Sequence, residues 1–533
     1  MLRLLLARVR RDRVILPIWI GATALLAYAS ASGVKVEFAT DADREAVLSV
    51  AIATPSLLAL RGLPDGATLG SYVYFQVFCY LAVMAGLMST FLLTRHTRAD
   101  EERGRLELLA ATPIARTTNL AVALVLGVLA NAVLALFVAL GFIAGGLDAV
   151  GSWVAGVAAG VTGLAFLGVA ALAAQVAPTS RSANGLGAAA VGVAFLLRAL
   201  GDALGSPDLA SLTVTSAWPS WLSPVGWGQH VFAFTRHDRS PLLLALALAV
   251  VTAGIALIVQ SRRDLGSSLL PERLGSSTGR IRSAVGLAWR QQWPSLIGWV
   301  IGAALTGSIA GAIGGRIADA ADLAQTLQDL LSSFVPGGRG QLIDLLVAAV
   351  IGIAGILAAA AGVQAILRAR GEESDGRLEL VLAAPVRRVA WLLGYVLVAV
   401  VSVTAVALAA GLAAGASFLP TDAERFWPSV LGGVAQIPAA VAFVALAAFV
   451  LAVLPRLTVP LGWAVIVVGF MIGQFGGLLQ LPDWVRDASP FRHTPAIPPV
   501  DGADWTGAFW LIGISVVVVA ASAVLVRTRQ LTS

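Results

Sequence analysis

Along this chain apolar residues come in long, nearly unbroken runs separated by short charged stretches, rather than at the spacing of half-buried strands or surface helices. A helix that crosses a bilayer needs about 20 predominantly apolar residues, with a range of ~17–25. Runs of that kind lie near positions 14–30, 70–93, 120–143, 153–176, 186–204 and 241–259. Six more lie near 294–313, 342–366, 389–412, 430–454, 459–479 and 507–526. The pattern predicts twelve transmembrane helices. The fifth run is interrupted by Arg198 and Asp202, and the seventh is rich in glycine.

Arginine is spread unevenly between the runs. With both termini on one side, that side collects 25 of the 36 basic residues; the other side holds 10, and Arg198 falls inside a run. Cytoplasmic loops carry the excess of basic residues, so a multi-pass protein of the plasma membrane with both termini cytoplasmic is predicted. The opening MLRLLLARVRRDR, followed by an apolar run ending AYASASG, has the features of a secretory signal. An uncleaved first helix is expected instead. RDRVILPIWIGA around Pro17 resembles RQQWPSLIGWVIGA around Pro294, where no signal peptide could be.

Composition agrees with the runs and removes several functions. Of 533 residues, 58% are hydrophobic and 12% charged, with mean hydropathy +0.86, whereas soluble domains carry about 25% charged residues. Much of the exterior must therefore face lipid. The net charge of +6 is accounted for by arginines lining one membrane face, and no basic tract with interleaved aromatics marks a nucleic-acid partner. One cysteine, Cys79, excludes an intrachain disulfide and a cysteine-based zinc site, and His96, His230, His237 and His493 lack metal-ligand spacing. Among the basic residues only Lys35 is lysine, in SGVKVEF. A P-loop needs GxxxxGK[ST], because a lysine must reach the β/γ-phosphates. If ATP drives this protein, another polypeptide binds it.

The chain also repeats itself. EERGRLELLAATPIAR (101–116) aligns without a gap on ESDGRLELVLAAPVRR (373–388), an offset of 272 residues. Pro17/Pro294 and Ser223-Pro224/Ser489-Pro490 recur at offsets of 277 and 266. The expected fold is an all-α polytopic membrane protein, twelve transmembrane helices as two parallel six-helix repeats. Residues 1–260 and 283–533 form the halves, and 261–282 form a cytoplasmic linker. Parallel halves of this kind enclose a central pathway.

The matched loops follow the second and eighth runs. Leu106 and Leu109, with Leu378 and Val381, are spaced to give a short helix one apolar edge. Glu101, Arg105 and Glu107, with Glu373, Arg377 and Glu379, are expected to face the cytosol. Gly104 and Gly376 permit a sharp bend, and Pro113 and Pro385 stop the helix. Positive-inside topology explains the arginines but not glutamates and glycines repeated in register, so a pair of docking helices is expected. Arg103 and Thr112 correspond to Asp375 and Ala384, so the two sites are not identical.

ExxGRLELLxAxP after the second helix resembles the cytoplasmic coupling region of type-2 ABC exporter permeases. The whole chain resembles the fused twelve-helix actinobacterial permeases of antibiotic, polyketide and multidrug exporters. The resemblance implies that ATP and Mg²⁺ are bound by two copies of a separate ABC ATP-binding subunit, which dock at Glu101–Pro113 and Glu373–Pro385. It implies export of hydrophobic or amphipathic compounds, with no cofactor and no catalytic residue on this chain.

Two other classes share some of these features. A proton-coupled secondary multidrug transporter of the major facilitator type also has twelve helices and a Gly/Arg/Asp motif. Its loops at these points are short, and proton coupling calls for a carboxylate inside the membrane. Asp202 and Asp344 lie near run ends. A membrane-embedded enzyme would need clustered acids or a metal site; Asp41, Asp43 and Glu45 instead fit the exposed face of an amphipathic helix.

Outside, 41–60 and 317–334 are read as paired helices that either roof the pathway or lie on lipid. Trp218, Trp221, Trp227, Trp484 and Trp505, interleaved with prolines, are read as interfacial aromatics, in the place where the resemblance implies re-entrant helices. Arg198 and Asp202, four apart, are expected to form a local ion pair. Tyr72, Phe75 and Phe78, with Arg198, are candidate substrate-pathway residues, since aromatic faces accept varied apolar ligands; Cys79 among them is expected to be packing.

Overall fold

The computed structural model describes residues 1–533 apart from 54, 111–114, 265, 271–278, 280, 282, 318–341, 476–481, 496, 499–502 and 530–533. The fold is all-α. Among the described residues twelve helical segments are long and apolar enough to cross a membrane, and the described strands form one hairpin, Ser206–Asp208 against Thr213–Thr215. A bilayer offers backbone groups no water, so helices that satisfy their own hydrogen bonds are the economical way to cross it. The chain falls into two compact units, Met1–Gly275 and Ser276–Ser533.

The first unit contains α1 (Leu2–Arg11), α2 (Ile15–Glu37), α3 (Asp41–Ile52), α4 (Pro55–Arg61), α5 (Leu69–His96) and α6 (Arg98–Glu102). It continues with α7 (Arg105–Ala110), α8 (Thr118–Ala144), α9 (Ala149–Val176), α10 (Ser180–Ala203), α11 (Pro224–Gln229) and α12 (Ser240–Arg262). Within it α5 touches α2, α8, α9 and α10. Lipid tails are as apolar as leucine, so helices associate in a membrane by close packing of small residues. Gly156 and Gly160 on α9 supply this against α8. A Cβ at Gly160 would lie 2.9 Å from the Asn131 carbonyl oxygen, and one at Gly156 would strike the Ala135 carbonyl.

Within 41–60 the chain forms two helices, α3 and α4. Thr40 and Asp43 form a capping box: the Thr40 hydroxyl accepts from the Asp43 amide at 3.2 Å, and the Asp43 carboxylate accepts from the Thr40 amide at 3.1 Å. Leu48, Ala51, Ile52 and Leu58 are buried in the same core as α5. Its apolar face therefore turns into the unit rather than onto lipid, and Asp41, Asp43 and Glu45 stay exposed. The corresponding stretch 318–334 lies outside the described residues.

The second unit contains α13 (Ala284–Ile317), α14 (Leu342–Ser374), α15 (Arg377–Leu382), α16 (Arg388–Phe418), α17 (Phe426–Ala435) and α18 (Ile437–Val453). α19 (Thr458–Phe475), α20 (Asp483–Arg486) and α21 (Thr506–Thr528) follow. Here α14 touches α13, α16, α18 and α19, the neighbour relations that α5 has in the first unit. The helices outrun the apolar runs that predict them: α2 continues to Glu37 and α14 to Ser374. The tenth run is two helices, α17 and α18, meeting at Gln436. Pro438 cannot donate to residue 434 and its ring crowds that carbonyl, which is why the ladder breaks there.

The expected Arg198–Asp202 pair forms, with Nη1 3.3 Å from Oδ2 and both side chains fully buried. It is not merely local. Asp202 also accepts from Gln229 Nε2 on α11 at 2.9 Å, and the Gln229 amide oxygen accepts from Cys79 Sγ on α5 at 3.3 Å. Arg198 lies 4.4 Å over the Phe195 ring. Removing one partner of a buried pair strands the other charge and costs about 3–5 kcal/mol, whereas replacing both by apolar groups is often neutral. Arg198→Met or Asp202→Leu alone is therefore expected to lower thermal stability in detergent sharply. The double variant is expected to recover most of it, and a double variant as unstable as either single one would contradict this account.

Candidate functional site

The matched loops begin where α5 and α14 end. In the first unit the chain turns into α6, a short helix held on three sides. Asp100 receives Arg11 of α1 at 2.7 and 3.0 Å, and Arg105 at 3.1 Å. Glu102 accepts from the Ser180 amide at 2.7 Å, at the N-terminus of α10, where an anion suits the helix dipole. Glu101 accepts from Arg98 Nη1, from Arg263 Nη2 on both oxygens, and from the Gly266 amide, at 2.7–2.8 Å.

The second unit repeats the central part of this arrangement. Glu373 pairs with Arg370 at 3.4 Å and with Arg529, and Glu372 accepts from the Gln291 and Trp391 side chains. In each unit a glutamate at the end of the second membrane-crossing helix thus holds an arginine of the segment that follows the last one. Glu101 and Glu373, expected on the cytosolic face, are instead 7% and 1% exposed at the side chain. Charge-assisted contacts with two guanidiniums offset the cost of taking each carboxylate out of water.

α1 completes the floor of the first unit. Arg8 donates to the carbonyls of Asn119 at 2.9 Å and His96 at 3.2 Å, tying together the two ends of the 97–119 loop. Burial pulls its guanidinium down to about 10. Burial also pushes the Asp12 carboxyl up. The His96 hydrogen bond (2.5 Å) and the charges of His96, Arg95 and Arg11 outweigh this and hold it below the usual carboxylate range. The segment after α12 is bound too: Arg98 donates to the Ser267 carbonyl, and the Leu269 and Leu270 amides donate to the Gln175 and Val176 carbonyls. Residues 263 and 266–270 are therefore held against the rest of the first unit.

Beyond this anchored floor the chain reverses at glycine. Gly104 has φ +68° and Gly376 φ +72°, the left-handed region that costs a residue with a Cβ about 1–2 kcal/mol. The short helices α7 and α15 follow. Leu106 and Leu378 are buried, while Arg105, Glu107, Arg377 and Glu379 are exposed. Arg377 pairs with Asp375 at 2.8 Å; Glu107 and Glu379 have no ion-pair partner among the described residues. α15 ends at Leu382 ahead of the exposed Pro385. Pro113 lies outside the described residues, as does the side chain of Leu109. Arg98/Arg370, Asp100/Glu372 and Arg263/Arg529 were missed as site residues, although they recur at the same offsets of 272 and 266.

The candidate pathway residues sit elsewhere. Tyr72, Phe75 and Phe78 are buried in the first unit's core, where Tyr74 stacks on Phe78 at 4.6 Å and donates to the Gly228 carbonyl at 2.7 Å. Arg198 is committed to Asp202. The Ser-Pro steps before the last helix of each unit share one anchor: Ser223 Oγ donates to the Ala194 carbonyl at 2.6 Å and Ser489 Oγ to the Gly469 carbonyl at 2.8 Å. Both ring nitrogens of His230 are used, by Ser216 and the Gly226 carbonyl. In the second unit an apolar groove of about 280 Å³ runs between α18 and α19, lined by residues including Phe443, Leu446, Val465, Val468, Ile472 and Pro490.

Among the described residues, twelve apolar segments long enough to cross a membrane, with a short helix carrying exposed charges after the second and the eighth, define a multi-pass membrane protein. Residues 281–527 match the family model described as multidrug efflux system permease Rv1217c, C-terminal domain. The multidrug efflux system permease protein Rv1217c of Mycobacterium tuberculosis (strain ATCC 25618 / H37Rv) is 33% identical over 539 residues, covering 99% of this chain and 95% of that protein. The chain belongs to this family of multidrug efflux system permeases.

Proposed function

We propose that this chain is the membrane-embedded permease of an ATP-driven exporter of hydrophobic or amphipathic compounds. In this reading, two copies of a separate ATP-binding subunit dock on α7 and α15. The observation that carries it is the construction repeated in each unit: a floor fixed by buried ion pairs, a left-handed glycine, then a short helix whose glutamate points into solvent. An anchored base with a projecting lever is what transmission of force from a partner requires, because a lever on a loose loop would bend instead of moving the span behind it. The relative's name supports drug efflux as the activity, and the lone lysine of the chain leaves the nucleotide to a partner. The arginine bias supports cytoplasmic placement of both termini and of these loops. Apolar surfaces such as the α18–α19 groove suit an apolar cargo.

The fully buried carboxylate of Asp202 favours a second reading, a proton-coupled carrier, since intramembrane acids often serve as proton relays. One comparison separates the two. The chain, purified from its native membrane, is expected to bring with it a P-loop ATPase at two copies per chain. In proteoliposomes that complex is expected to move a fluorescent drug with ATP and not with an imposed pH gradient. Transport by the chain alone on a pH gradient would replace this reading with the second.

A further inference from the structure

α1 has three faces of different chemistry. Arg8 and Arg11 lie on one and are spent inside the protein, on the Asn119 and His96 carbonyls and on Asp100. At about 100° per residue, Leu2, Leu6 and Val9 fall on a second face, and they are 68%, 51% and 44% exposed. This stripe runs on into Val14, Ile15 and Ile18, exposed at the start of the first span. Arg3 and Arg10 lie on the flank beside the stripe, with Arg13 in the turn that follows. All three are exposed and have no ion-pair or hydrogen-bond partner among the described residues. Asp12, the one acid of this segment, is consumed by Arg95 and His96.

We propose that α1 lies in the membrane interface and is a binding site for anionic phospholipid headgroups, with Arg3, Arg10 and Arg13 as the headgroup ligands and Leu2, Leu6 and Val9 inserted among the acyl chains. The contacts of Arg8 with Asn119 and His96 and of Arg11 with Asp100 fix the roll of the helix, so its apolar stripe faces outward. It joins directly to a helix that crosses the bilayer, which places that stripe at the depth where headgroup meets hydrocarbon. Arginines flanking such a stripe lift their charge to phosphate level while their stems stay on the apolar side. Three uncompensated positive charges at that depth select a lipid with net negative charge over a zwitterionic one. The inference needs only a membrane-spanning chain and stands whether ATP or protons power it.

The test is lipid retention by the full-length protein. Protein in mixed micelles with equal phosphatidylglycerol and phosphatidylcholine is examined by native mass spectrometry, counting each lipid bound. Wild type is expected to retain phosphatidylglycerol preferentially, and the preference to fall as NaCl is raised from about 0.05 to 0.5 M, as screening requires. R3Q/R10Q/R13Q is expected to lose the preference by about tenfold or more while eluting as the same monodisperse species in gel filtration, since these side chains are exposed and hold no hydrogen bond or ion pair among the described residues. R3K/R10K/R13K, which keeps the charge, is expected to keep the preference. Equal retention of the two lipids by wild type, or an undiminished preference in R3Q/R10Q/R13Q, would overturn the proposal.

Discussion

If two ATP-binding subunits dock on α7 and α15 as proposed, alanine at both Glu107 and Glu379 is expected to abolish drug export and drug-stimulated ATP hydrolysis by the complex, while leaving the amount of permease in the membrane and its melting temperature unchanged. Both carboxylates are exposed, and neither has an ion-pair partner among the described residues. Their removal therefore costs folding at most about 0.5 kcal/mol, as for other surface positions. At a docking contact the same truncation costs about 1–2 kcal/mol of coupling at each site, and 1.4 kcal/mol is tenfold. Two sites acting on one cycle compound the loss. Because Arg103 is opposite in charge to the corresponding Asp375, the single variants are expected to differ in size. Full drug-stimulated ATPase in the double variant, measured in nanodiscs with the partner present, would end the assignment of these glutamates to coupling.

Glutamine at Glu101 and Glu373 is expected to fail in the other way. Each carboxylate is enclosed with two guanidiniums, and Arg98 and Arg263 in the first unit are themselves 2% and 6% exposed. Glutamine keeps the shape but offers no charge, leaving two cations facing each other, buried in the first unit and half-buried in the second. Breaking a buried pair from one side costs about 3–5 kcal/mol, a large part of the stability of any domain. The measurement is melting temperature and yield in detergent for E101Q, E373Q and the pair of changes. A clear drop with each is expected, larger in the first unit, where the glutamate also holds the Gly266 amide. Melting equal to wild type alongside lost ATPase coupling would mean that Glu101 and Glu373 are contacts for the partner and not the floor.

The two glutamates of one motif thus stand in opposite surroundings, one enclosed and one exposed, and the sequence could not tell them apart. Both stand in ExxGRLE, and both recur in register. What separates them is the reversal at Gly104 and Gly376, which places one glutamate before the turn, against the bundle, and the other after it, in solvent. The sequence marks the bend by glycine. It does not say which side of the bend the arginines approach from, because Arg263 and Arg529 arrive from 162 and 156 residues further along. Extending the alignment three residues upstream exposes Arg98/Arg370 and Asp100/Glu372 as repeated pairs. The partners supplied by distant segments leave only the weaker trace of a shared offset.

Lipid imposed what the sequence did determine. A chain with so many apolar residues must hide its backbone polarity in helices and line them up across a slab of fixed thickness, so the number and approximate limits of the crossings are written in run length alone. Single side chains are decided differently. Whether Glu101 is wet or enclosed, whether Arg198 reaches only Asp202 or a network out to Cys79, and whether residues 41–60 turn outward or inward all depend on which distant atoms arrive within about 3 Å. Charge pairing and hydrogen bonding act at that range, and only the folded chain brings those atoms together.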